Sequence, residues 1–438
     1  MEAPVYKPAL GPTPAATTFY REIAVYAKEN GFRAYNFGQG AEIDKPGGLI
    51  ADIWAEPVGF TTSPAYPASV GGAPHVRAAA AGWMTRFLNV PATMDNTFVF
   101  ATQGRASLDL CFRIFGREAF DLGAKESVVI MDETHWPMLD EQMRDHHLTP
   151  DFDVHGLFKE KSNAVCKYTN KPKNPDGTQA TNSQMKYERD KLEDVNGHRQ
   201  GLADMGDAIG GRKVRWMVDS PYFMSCRQRL EPGKSYLDAG FDGVFSANMR
   251  TPWYINVSAS KAYGLATPGV HIGVVHPAYA GNFSKFANRS YGNAMLPEFG
   301  DKFARVIAPE NDELALLHFG DLRRKYKTNR DSLVTAFGDK VLPGKPNMTA
   351  LMTLPKDDLC KRVTGSRTGQ EYDIRKLSDF IQYCGVEKGV VFVDNGVDDK
   401  GNVLARIAMA SRPDDFRDGV REFAAAYEEV RTAKPAFA

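Results

Sequence analysis

The chain has 438 residues, with 54 Lys+Arg against 54 Asp+Glu, so its formal net charge is zero. Hydrophobic residues make up 43% and charged residues 25%, ordinary proportions for a soluble globular protein. That length calls for more than one small core, and the balanced charge does not suggest a nucleic-acid or membrane-surface partner. It also leaves little repulsion between copies, which is compatible with an oligomer. The five cysteines, Cys111, Cys166, Cys226, Cys360 and Cys384, are scattered and form no CxxC pair. This is the pattern of reduced, buried thiols in a cytoplasmic protein, not of a disulfide frame or a zinc site. No apolar run approaches the ~18–20 residues of a membrane helix, and the first twenty residues lack the basic-then-apolar order of a secretory signal.

In chain order, Thr17 and Thr18 open a helical pattern that Gly31 is placed to stop, and Pro74 opens a second helix over HVRAAAAGWMTRFL. Short apolar runs then alternate with helical stretches: TFVFAT, ESVVIMD, AVCKYT, VRWMVD, GVFSA, WYINVSA and HIGVV. Runs without period-2 alternation predict strands buried on both faces of a mostly parallel sheet. The expected fold is α/β: a three-layer α/β/α large domain with a mostly parallel seven-stranded sheet, and a smaller α+β domain. The polar stretch 170–212 predicts a loop, a helix over SQMKYERDKLEDV and a Gly-rich turn. Beyond Asn311 come a long charged helix, the strand-like PNMTALMTLP, a helix over 373–384, strands GVVFVD and NVLARIAMA, and a last helix from Pro413. Residues 60–310 are expected to form the large domain and 311–438 the small one, joined by 1–59.

In sheets of this kind ligands bind at the carboxyl ends of the strands. Four sites stand there. Gly104, in TQGRASL, opens a helix whose free amides could hold a phosphate, although many such turns need glycine for geometry alone. The loop NKPKNPDGT, 170–178, is rich in turn formers. Asp219 ends the apolar strand VRWMVD, where a carboxylate is costly unless it caps the next turn or meets a cation or a strong donor. Lys261 lies among small residues in SASKAYGLA, where partial desolvation would free its amine to attack a carbonyl carbon. Each signal is modest alone; together and in this order they fit pyridoxal 5′-phosphate.

These motifs resemble the fold-type-I pyridoxal-phosphate enzymes, specifically the class I/II aminotransferases, over residues 19 to 432. The resemblance implies the following roles. SASKAYGLA, 258–266, is similar to the family's S-x-S-K-x-x-G-L-x-G, which makes Lys261 the Schiff-base lysine and Ser258 and Ser260 phosphate partners. Asp219-Ser-Pro-Tyr222 resembles D-E-x-Y, giving Asp219 to the pyridine nitrogen and Tyr222 to the 3′-oxygen. NKPKNPDG resembles N-P-x-N-P-T-G, assigning Asn174 to the 3′-oxygen and the substrate side. Gln103-Gly104-Arg105 stands at the phosphate turn. YNFGQG, 35–40, and ARIAMA, 405–410, resemble the segments that hold the substrate carboxylate, pointing to Gly38 and Arg406. YPASVGGAPHVR, 66–77, resembles the segment whose tyrosine reaches a neighbouring subunit's cofactor, so Tyr66 implies a homodimer with shared active sites.

Two departures stand out. His271 occupies the place of an arginine that usually binds the phosphate, and an imidazole is the weaker partner. DETHWP, 132–137, replaces the usual stacking segment, leaving His135 or Trp136 to stack on the ring. The expected activity is transamination of an α-amino acid with a keto acid acceptor, through a Schiff base on Lys261 and loss of the Cα proton. The alternative is a lyase, cyclase, or β/γ-substituting or C–C bond-forming enzyme of secondary metabolism on the same scaffold. No metal, nucleic acid or membrane partner is expected.

Overall fold

The computed structural model describes residues 16–38, 48–57, 71–100, 104–121, 127–132, 138–153, 164–172, 179–204, 213–229, 231, 233–264, 269–291 and 297–435. Described residues divide into two compact units, a larger one within 48–320 and a smaller one made of 16–38 and 321–435.

The larger unit holds a seven-stranded sheet in the order Thr97–Phe100, His271–Val275, Trp253–Ser258, Arg215–Ser220, Ala164–Asn170, Val128–Ile130, Thr149–Asp151. His271–Val275 is antiparallel to both its neighbours, and the remaining pairs are parallel. The central strands Ala164–Asn170, Arg215–Ser220 and Trp253–Ser258 are buried at every position. That burial is why they read as apolar runs without alternation. One face packs Cys166, Tyr168, Met217, Tyr254 and Val275 against Leu108, Cys111, Phe112 and Phe115 of helix Gly104–Asp121. Helix Pro74–Leu88 starts with proline at its first turn, where the missing N–H costs nothing, and ends at Asn89 in the left-handed region, φ 53°.

The sheet has seven strands, but one is not the strand expected. GVFSA, 243–247, forms turns, because Phe241, Phe245, Trp253 and Trp216 pack ring against ring and hold that segment as a knot beside the sheet. The seventh strand is Thr149–Asp151, which pairs with Val128–Ile130 at the sheet edge. Its proline and short length hid it, and both suit an edge.

The smaller unit is α+β. Strands Val393–Val397, Val403–Ala408 and Thr349–Leu354 form an antiparallel sheet, and Lys361–Thr364 pairs with Glu371–Ile374 in a hairpin. The helix expected over 373–384 lies over Leu377–Lys388 instead. Residues 371–374 are claimed by the hairpin, and the Asp379 carboxylate accepts from the Arg375 and Lys376 amides, starting the helix there. Helix Asp312–Phe337, whose residues from Asp321 on belong to this unit, is continuous, as its pattern predicts. Around Phe380, Phe392 and Phe423 an aromatic cluster ties Leu377–Lys388 to the final helix, Pro413–Thr432.

Candidate active site

The site grows from strand register. Asn170, Asp219 and Asn256 are cross-strand partners on three adjacent parallel strands, so they stand abreast near the strands' carboxyl ends. Paired residues, and residues two apart on one strand, project from the same face of a sheet. Tyr168, two before Asn170, therefore shares that face, as does Ser258, two after Asn256. His271 shares it too, because it pairs with Ser258.

Asp219 is the centre of this row. Its Oδ1 accepts from Asn256 Nδ2 at 2.8 Å, and its Oδ2 accepts from the Tyr168 hydroxyl at 3.1 Å and Asn170 Nδ2 at 3.2 Å. Asn256 is itself fixed by the Ser107 hydroxyl, which donates to its Oδ1 at 2.8 Å. All three of these described donors are neutral. Burial pushes Asp219 up from the usual carboxylate range to about 6, although the hydrogen bonds and the nearby Lys261 charge pull the other way.

Lys261 sits on the short helix Ala259–Ala262, which directly continues strand Trp253–Ser258, and its Nζ lies 5.7 Å from the ring centre of buried Tyr222. The residues on either side of it, Ser260 and Ala262, are buried. Two polar atoms on the same face have no hydrogen-bond partner among the described residues, Ser258 Oγ and His271 Nδ1. Burial, reinforced by the Lys261 charge, lowers His271 to about 3, so its imidazole stays neutral. Ser260 differs from Ser258: its hydroxyl donates to the Val270 carbonyl at 3.1 Å and ties the lysine helix to the following strand.

In the smaller unit, Arg406 Nη2 donates to the Gly38 carbonyl at 3.1 Å. The backbone brings them together: the Phe37 amide donates to the Val391 carbonyl and the Ala408 amide to the Phe37 carbonyl, each at 2.7 Å. Gly104 is the first residue of helix Gly104–Asp121, and the side chain of Arg105 lies outside the described residues. Tyr66, His135, Trp136 and Asn174 also lie outside them.

Tyr168, Asn170, Asn256 and Ser107 were not singled out from the sequence. Asn256 had a usable signal, a polar amide in the middle of the apolar run WYINVS, since a buried amide requires partners. Tyr168 had none, because a tyrosine in a strand reads as core.

No protein-family model matches the chain, and no curated protein matches it in sequence. Solved structures match it at nearly full length. An amino transferase from Eubacterium rectale superposes with a TM-score of 0.65 at 16% identity, covering 95% of this chain and 96% of that one. A double mutant of Thermus thermophilus aspartate aminotransferase gives 0.65 at 16%, covering 95% and 97%. The aspartate aminotransferase of Rhizobium meliloti gives 0.67 at 14%, covering 97% and 99%. The protein thus has the fold of the aminotransferases, fold type I, with its seven-stranded, mostly parallel sheet.

Proposed function

We propose that the protein is a pyridoxal-phosphate-dependent aminotransferase-like enzyme acting on an α-amino acid, as a homodimer. The observation that carries this reading is Asp219: a buried carboxylate held by three neutral donors, on the strand beside the one that leads into Lys261. A carboxylate offers about four lone-pair positions. Among the described residues three are taken, and the remaining one, on Oδ1, suits a single N–H such as that of a protonated pyridine. Ser258 Oγ and His271 Nδ1, without a hydrogen-bond partner among the described residues, suit phosphate oxygens at the other end of the cofactor. The residues therefore fit the group.

In this reading Lys261 would hold the cofactor covalently through its amine, Asp219 would keep the ring nitrogen protonated, and Tyr222 and Asn174 would face the 3′-oxygen. Ser258, the Gly104 turn and Arg105 would hold the phosphate, and neutral His271 would donate to it without adding charge. Ser260 would serve chiefly by anchoring the lysine helix. Arg406, its guanidinium steadied by the Gly38 carbonyl, is the proposed partner of the substrate α-carboxylate. When bound, pyridoxal phosphate supplies an electron sink conjugated with the substrate Cα. Lys261 Nζ would take the Cα proton of the bound amino acid.

Incubating the purified protein and cofactor with each amino acid, without any keto acid, tests the reading. About one equivalent of keto acid released per site, with none from Lys261→Ala, is the expected result. Ammonia or an olefinic product would replace transamination with the lyase or cyclase alternative. Full activity in Lys261→Ala would remove the reading altogether.

A further inference from the structure

Resting on that reading, we propose that Asn256, oriented by Ser107, is a positioning residue that makes the site select a protonated ring nitrogen. An amide can face a carboxylate with its NH2 or with its oxygen, and only the first is favourable. The Ser107 hydroxyl, 2.8 Å from Asn256 Oδ1, supplies the proton that commits the amide oxygen away from Asp219. The Asn256 NH2 is left to donate to Asp219 Oδ1 at 2.8 Å. Ser107 lies on helix Gly104–Asp121, so the helix whose first residue stands at the proposed phosphate turn also orients the ring-nitrogen acid.

The three donors divide the labour. Tyr168 and Asn170 occupy Oδ2, and Asn170 Nδ2 also reaches the Asp219 backbone carbonyl at 3.1 Å, which pins the carboxylate against its own strand. Among the described residues Asn256 occupies one position on Oδ1 and leaves one. Since none of the three carries charge, the carboxylate keeps its full anionic character for a fourth donor, and a cationic N–H satisfies it better than a neutral group. Without Asn256 only the donors on Oδ2 orient the carboxylate, and the alignment of Oδ1 with the ring is loosened.

The test compares pyridoxal phosphate with its 1-deaza analogue, in which carbon replaces the ring nitrogen. Dissociation constants are measured by fluorescence titration of the cofactor-free wild type, Asn256→Leu and Ser107→Ala. Wild type is expected to prefer pyridoxal phosphate. In Asn256→Leu that preference should shrink about tenfold or more, the loss of one hydrogen bond to a charged group, while the analogue binds nearly as before. Ser107→Ala, a milder change that keeps the fold if Asn256→Leu does not, should give a smaller loss of the same selective kind. Equal weakening of both ligands would mean a merely structural role and would overturn the inference. Unchanged preference in both variants would overturn it as well. Wild type that binds neither ligand, or both alike, would instead strike at the assignment of Asp219 to the ring nitrogen, and the inference would fall with it.

Discussion

Asp219 and His271 lie on one face of the sheet, yet they impose opposite pH signatures on the cofactor-free protein. Burial raises Asp219 from 3.8 to about 6 and lowers His271 from 6.5 to about 3. Between its two values Asp219 binds more proton in the folded state than in the unfolded state. Its contribution to stability is therefore complete below pH 3.8 and lost as pH rises through about 6. For His271 the unfolded state binds more proton, so its contribution is complete above pH 6.5 and lost as pH falls toward about 3. A tenfold change in proton affinity on folding is worth about 1.4 kcal/mol, giving roughly 3 kcal/mol for Asp219 and roughly 5 kcal/mol for His271. Between about pH 4 and pH 6 the two slopes are equal and opposite, about 1.4 kcal/mol per pH unit, and cancel. Removing one residue unmasks the other. Urea unfolding of cofactor-free wild type, Asp219→Asn and His271→Gln across this range measures it, and only differences from wild type are used, so that other groups drop out. The stability of Asp219→Asn relative to wild type should climb with pH, and that of His271→Gln should fall, each by about 1.4 kcal/mol per pH unit. Flat difference curves, or two curves of the same sign, would refute the assignment of these two groups as buried and oppositely shifted.

Arg406→Lys keeps the charge but loses the planar fork, so KM for the amino acid should rise roughly ten- to a hundredfold with a smaller change in kcat, read by steady-state kinetics. Phe319 is fully buried against the rings of Phe87, Phe223 and Tyr263, and Phe319→Ala should lower unfolding free energy by about 3–5 kcal/mol, measured by urea titration. Gly389 closes helix Leu377–Lys388 at φ 73°, where an added Cβ would lie 2.2 Å from the Arg33 carbonyl oxygen. Gly389→Ala should therefore lower the thermal midpoint and cost at least the ~1–2 kcal/mol of a left-handed backbone.

Local chemistry by itself determined a good deal here. Buried strands announce themselves as apolar runs, and helix Asp312–Phe337 follows its own pattern from end to end. An aspartate at the end of VRWMVD and a lysine among serines are anomalies that need partners, and they are legible without a fold. Tertiary structure decided what no local pattern carries. Strand register sets Asn170, Asp219 and Asn256 abreast, although 49 positions separate the first pair and 37 the second. Register between strands so distant in sequence follows from which faces pack against which helices, a non-local balance. The same balance denied GVFSA a place in the sheet, because its aromatic ring is better buried among Trp216, Phe241 and Trp253 than paired along a ladder. It also turned the Ser260 hydroxyl toward Val270 and left the Ser258 hydroxyl without a described partner, in two serines that look interchangeable in the sequence. The sequence could name the acid and the lysine; only packing could supply the amide and hydroxyl that hold the acid in place.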